Sequence, residues 1–177
     1  AKTYKGHGTD KALLAGVMGF AVDDERIRDA YLLAAKRGFE YSFSEIDLPD
    51  AHENSVKITM FFKDGDSCEV IGSSIGGGQI VIKSIDDFNT DFSANSNTLI
   101  IKQWDKKGVI SDISYILTVS DINIGVMKIS RVEKGGTALS IIETDSHVPD
   151  RVLGILKDTP NVLLAISVNL SNEDEGE

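Results

Sequence analysis

The chain has 177 residues, 41% hydrophobic and 26% charged, with a net charge of −10. This is the composition of one or two globular domains and excludes a disordered or collagen-like chain. No apolar run approaches the ~20 residues of a membrane span, and so acidic a surface repels a phosphate backbone, which argues against nucleic acid as a partner.

Cys68 stands alone, so an internal disulfide and a cysteine-rich metal site are both excluded. No basic-then-apolar leader opens the chain. The absence of disulfides fits a reducing compartment and predicts a cytoplasmic location. The last seven residues, SNEDEGE, carry four acids and no base and are expected to form a disordered acidic tail, 171–177.

A helix is predicted after Gly8, with Thr9 or Asp10 as cap and an apolar stripe through Leu13, Leu14, Val17 and Met18. A second is predicted at 24–37. Acids at 23–25 suit its N-terminal dipole, Ile27, Ala30, Tyr31 and Ala34 lie on one face, and Gly38 stops it. The period then changes to two. Residues 41–47 alternate, and Val56, Ile58, Met60 and Phe62 mark a half-buried strand. Asp64-Gly65 signals a hairpin. Strands follow at 69–74 and 79–85, separated by the run Gly72-Ser73-Ser74-Ile75-Gly76-Gly77-Gly78. The polar stretch 86–97 reads as a linker. Beyond it come a strand at 98–103, a helix at 108–120, strands at 122–131 and 137–143, a helix at 148–158 stopped by Pro160, and a strand at 162–168. The order βαββαβ is a split-βαβ, ferredoxin-like pattern.

Three loops carry candidate chemistry. In Lys5-Gly6-His7-Gly8-Thr9-Asp10, glycines flank a histidine that accepts a proton near neutral pH, ahead of a helix whose free N–H groups suit a carboxylate; a plain turn with a solvated His7 is the alternative. The glycine run is not a nucleotide loop, because no Gly-Lys-Ser/Thr follows and a strand comes next. It is either a bulged glycine hairpin or a backbone-lined pocket in which Ser73, Ser74, Gly76 and Gly77 hold a small polar ligand. The third loop lies between the strand at 98–103 and the helix opening at Gly108. Cys68 lies mid-strand and reads as a small buried side chain. His147, ahead of Val148-Pro149, reads as structural.

The segments TLIIKQWDKKGVISDISYIL, DINIGVMKISR, KGGTALSIIETD and NVLLAISV resemble the ACT domain, a sensing module usually for amino acids. Asp105, Gly108 and Asn123-Ile124 stand at its characteristic positions. AKTYKGHGTDKALLAGVMGF, DDERI, HENSVKI and GSSIGGGQI extend the likeness. With them the chain resembles the beta subunit of bacterial iron–sulfur-dependent L-serine dehydratase over almost all of residues 1–170. The resemblance implies an α+β chain: an N-terminal two-helix plus antiparallel-sheet domain (1–90, allosteric-substrate-binding-like) followed by a ferredoxin-like βαββαβ ACT domain (97–170). The family's beta subunit begins earlier, with a Ser-Ser-Ser-His-Thr motif, so this chain is expected to lack its N-terminal segment. Family members commonly have His-Pro-Asn-Thr where this chain has His52-Glu53-Asn54-Ser55, which keeps the imidazole, amide and hydroxyl but loses the proline.

What the resemblance implies about function is specific. The family converts L-serine to pyruvate and ammonia, with a 4Fe-4S cluster as Lewis acid on the β-hydroxyl. One cysteine cannot hold such a cluster; the resemblance implies that the cofactor sits in a partner alpha subunit, and this chain alone should then be inactive. His7 is expected at the interface with that subunit, with His52 and Asn54 in a similar role. In the ACT loop the N–H groups of Val109 and Ile110, opened by Gly108, suit an amino-acid carboxylate. Asp105 suits its ammonium, and Asn123 adds an amide, often across a domain interface. The alternatives are that Asp105 caps the helix, or that the ACT surface serves only self-association. L-serine, the alpha subunit and a second copy are the expected partners, without nucleic acid or membrane. The competing reading is a non-catalytic amino-acid sensor of another enzyme such as 3-phosphoglycerate dehydrogenase, from which the GHGTD segment sets this chain apart.

Overall fold

Small residues at a spacing of four organise the first part of the chain. Ala30 and Ala34, both fully buried, let their helix approach Leu14, Ala15 and Met18 of the preceding one. In the computed structural model, which describes residues 8–48, 52–93 and 96–168, these belong to helices α1 (Thr9–Val17) and α2 (Ala30–Lys36). Contacts divide the chain into two units, 1–53 and 54–177. Gly8 opens α1 in the left-handed region, at φ 72°. In the first turn the buried Asp10 accepts bonds from Tyr31 Oη and from Lys11 N, at 2.9 Å for the latter. Both bonds, Tyr31's first, hold its carboxyl below the usual range.

The predicted helix at 24–37 is two elements. Residues Glu25–Asp29 form a 3-10 turn, and α2 is only seven residues long. Asp24 causes the difference: its carboxylate accepts from Arg26 N at 2.9 Å, a local bond that tightens the chain before an α-helical turn can close. The Arg26 side chain on the same carboxylate lowers its pKa to about 2. The predicted strand at 41–47 has no regular secondary structure. Alternation reports an extended backbone, not a ladder partner, and here Tyr41 stacks on Tyr31, with centroids 5.8 Å apart, while Phe43 meets Tyr41 edge-on. Val17, expected on the buried stripe of α1, is 40% exposed; the buried face runs through Asp10, Leu14, Ala15 and Met18 instead.

The second unit holds two four-stranded antiparallel sheets. The first is a meander of β1 (Ser55–Phe61), β2 (Ser67–Gly76), β3 (Gln79–Ile85) and β4 (Phe88–Ser93). The stretch 86–97, read as a linker from its Asp, Asn, Ser and Thr content, therefore contains a strand. Two phenylalanines four apart, Phe88 and Phe92, were the signal; both are buried.

The second sheet follows the predicted βαββαβ order. Its elements are β5 (Asn97–Trp104), α3 (Val109–Val119), β6 (Ile124–Arg131), β7 (Thr137–Thr144), α4 (Asp150–Lys157) and β8 (Val162–Val168). The strands lie in the order β6-β7-β5-β8, the split arrangement in which both helices cover one face. Leu99 and Ile101 of β5 and Ile142 of β7 pack on that face against Val109, Ile113 and Leu117 of α3 and Val152 and Leu156 of α4. Ile100, Leu139 and Ile141 point the other way and pack against Phe88 and Phe92 of β4. β5 and β7 are thus covered on both faces, which is why they read as continuous apolar runs. Polar fasteners join the sheets. Lys128 Nζ donates to Asp91 O and Ser130 Oγ to Asn89 O, each at 2.6 Å, and Lys102 Nζ lies 3.4 Å from Asp86 Oδ2. No described helix is long and apolar enough to cross a membrane.

Candidate functional site

The loop from β5 to α3 is held by its first acid. Asp105 Oδ2 accepts from Arg131 Nη1 and from Gly135 N, both at 3.0 Å, and Asp105 N donates to Gly136 O at 2.8 Å. Asp105 thus ties the start of the loop to the β6–β7 turn. It does not cap α3, whose N-cap is Gly108 with no side-chain cap bond. The Gly135 N–H, then the Arg131 guanidinium, hold its carboxyl below the usual range, so Asp105 is a half-buried anion at neutral pH. Gly108 is needed for its backbone: at φ 92° it occupies a region that other residues rarely adopt. Its turn directs the first N–H groups of α3, at Val109 and Ile110, out of the helix with no acceptor inside it.

Asp105, Gly108 and Val109 are therefore gathered at one end of the second sheet. Asn123 is not. It precedes β6, while Arg131, which touches Asp105, ends that strand; at the usual rise this separates them by roughly 25 Å. Asn123 Nδ2 donates to Asp145 Oδ2 at 2.6 Å, and Asp145 N donates back to Asn123 O at 3.2 Å.

The glycine run forms the β2–β3 hairpin. Gly76 pairs with Gln79, and Gly77 and Gly78, at φ 62° and 76°, are the two loop residues, as a type I′ turn requires. Register shifts flank it at Ile71/Gly72 and Ser74/Gly76. Ser73 is buried and its Oγ lies 2.8 Å from Ser55 Oγ on β1, while Ser74 is exposed and its N donates to Asn54 O at 3.0 Å. The run and Asn54-Ser55, apart in sequence, thus meet where β1 pairs with β2; His52 and Asn54 are exposed. His7, the expected interface residue, and the acidic tail 171–177 lie outside the described residues. His147 is exposed, beside the fully buried Val148.

Sequence reasoning missed Arg131, and it missed Gln103. The latter is 2% exposed, on the helix-covered face of β5 two residues beyond Ile101. Its Nε2 donates to Ser140 Oγ at 2.7 Å. The period-two count from Leu99 through Ile101 placed it inside, so the signal was available.

No protein-family model matches the chain. Individual proteins do. A probable L-serine dehydratase beta chain of Bacillus subtilis (strain 168) is 37% identical over 163 residues, which span 92% of this chain and 74% of that one. The L-serine dehydratase beta chain of Peptoniphilus asaccharolyticus is 36% identical over 164 residues, 90% and 74% of the two chains. This chain belongs to the L-serine dehydratase beta-chain family. Similarity also extends to the D-3-phosphoglycerate dehydrogenase of Bacillus subtilis (strain 168), 31% identical over 163 residues that span 90% of this chain but 30% of that enzyme.

The donor set of this beta-chain family member does not fit an iron–sulfur cluster. Its single cysteine, Cys68, is half-buried on β2, and burial, then Asp86, pushes the thiol pKa up, away from the thiolate a cluster requires. Among the described residues, no three His, Cys, Asp or Glu side chains gather as metal ligands.

Proposed function

We propose that the chain is the regulatory beta chain of an L-serine dehydratase in the cytoplasm, binding L-serine and completing the active site of a cluster-bearing alpha chain. The observation that carries the reading is the likeness to two beta chains over about nine-tenths of this chain; the words "beta chain" imply an alpha partner. In this reading residues 97–170 are the ACT module and residues 1–90 the allosteric-substrate-binding-like part. The free N–H groups at Val109 and Ile110 take the serine carboxylate and the Asp105 anion faces its ammonium. Asn123, at the far end of β6, serves such a site only from a second copy, which gives self-association a purpose. The hairpin residues Ser73, Ser74, Gly76 and Gly77, with Asn54 beside them, form a second locus for a small polar ligand, and His7 lies at the alpha-chain interface. Serine bound here acts by preferring one arrangement of the assembly over another. The cluster in the alpha chain supplies a Lewis acid for the β-hydroxyl.

A second reading, a sensor module attached to another enzyme, draws on the likeness to D-3-phosphoglycerate dehydrogenase. Reconstitution separates them. The pure chain is expected to release no pyruvate or ammonia from L-serine, and its addition to an alpha chain is expected to raise the rate at least tenfold. Turnover by the pure chain, or an alpha-chain rate indifferent to it, would contradict the proposal.

A further inference from the structure

We infer that Gln103, oriented by Ser140, receives the side-chain hydroxyl of the bound amino acid and selects L-serine over L-alanine. The inference rests on the reading that the β5–α3 loop binds an amino acid. Among the described residues, Gln103 Oε1 is the buried side-chain polar atom with no hydrogen-bond partner. Such an atom is costly to leave unmet in a core, and an apolar residue of similar size would avoid the cost. Its position is specific. Leu99 and Ile101 of β5 pack with Val109, the first residue of α3; Gln103 continues that face to within one residue of the strand end from which the β5–α3 loop departs. Ser140, itself fully buried on the same face of β7, fixes one end of the amide and leaves the other to the site.

The chemistry favours a hydroxyl. The loop already offers N–H groups for a carboxylate and an anion, Asp105, for an ammonium. A neutral amide remains, and the hydroxyl is the group that separates serine from alanine. If the amide is turned end for end, Nε2 lacks the partner instead. A hydroxyl gives or takes a hydrogen bond and so satisfies either orientation, whereas an ammonium satisfies only one. A site built to bond a hydroxyl discriminates against the ligand that lacks it, because its own buried group then goes unmet.

Titration calorimetry of the full chain with L-serine and with L-alanine tests this. The wild-type protein is expected to bind serine at least ~10-fold more tightly than alanine. Gln103→Leu should bring serine to within about twofold of alanine while alanine binding stays within about threefold of wild type. Ser140→Ala, a smaller change to the core, should lower the preference part-way by releasing the amide. Equal binding of both amino acids by the wild type would overturn the assignment and leave the loop site standing, with water serving the amide. Serine binding unchanged in both variants would overturn it too, and would place serine at another locus. Binding of neither amino acid by the wild type would remove the loop site and this assignment with it.

Discussion

Leu117→Ala is expected to destabilise the second unit by about 2–5 kcal/mol. Leu117 is fully buried on the last turn of α3, packed with Leu99, Ile113 and Ile142 between the helix layer and the sheet. Truncation removes the transfer energy of the lost carbons. It also leaves a cavity that two helices and a sheet, each fixed by its own ladder, cannot close. Native domains hold only about 5–15 kcal/mol in all, so one such change removes a large share. Tyr115→Ala on the same helix is the control: at 67% exposure it should shift stability by no more than about 0.5 kcal/mol. Urea unfolding followed by circular dichroism reads both. Equal effects would mean that α3 does not pack through this face.

The second large effect is expected at Asp105. Its carboxylate joins the β5–α3 loop to Arg131 and to the Gly135 N–H of the β6–β7 turn. Asp105→Ala frees both elements and removes the anion proposed for the ligand's ammonium, so L-serine affinity should fall at least ~10-fold. Asp105→Asn keeps the size but removes the charge, and should lose most of that affinity too. The pH dependence has a definite sign. The folded-state pKa lies below the ordinary 3.8. The clamp therefore contributes in full above that value and is lost as pH falls through the lower, folded one. Between pH 7 and the ordinary carboxylate value the wild-type clamp should hold. Below it, thermal stability of the wild type should fall more steeply than that of Asp105→Asn. Parallel curves would assign acid sensitivity to other carboxylates.

Much of the second sheet was legible because its elements obey one rule each. β5 and β7 are apolar on both faces, α3 and α4 carry an apolar stripe, and Gly108 and Pro160 punctuate them. What failed to show was anything decided by a partner distant in sequence. β4 hid because its two phenylalanines sit among residues typical of loops; they are buried only because Ile100, Leu139 and Ile141 lie across from them. The segment at 41–47 has the alternation of a strand, but its aromatic rings stack on Tyr31 and on each other. At the site, the residue types at 105 and 108 stood out in the sequence, whereas the bond from Asp105 to Arg131 needs the β5–β7–β6 register, which brings position 103 beside 138 and 138 beside 131. Gln103 lay between: periodicity puts it inside, but only the packed structure shows that one end of its amide goes unmet.

The proposal that this chain senses serine is tested most directly by a thermal shift with L-serine, using D-serine as the stereochemical control. At about 100 times its dissociation constant a ligand adds ~2.7 kcal/mol, which for a chain of this size raises the midpoint by about 5–10 °C. A shift of that size with L-serine and none with D-serine is the predicted result. No shift with L-serine, or an equal shift with both enantiomers, would contradict it.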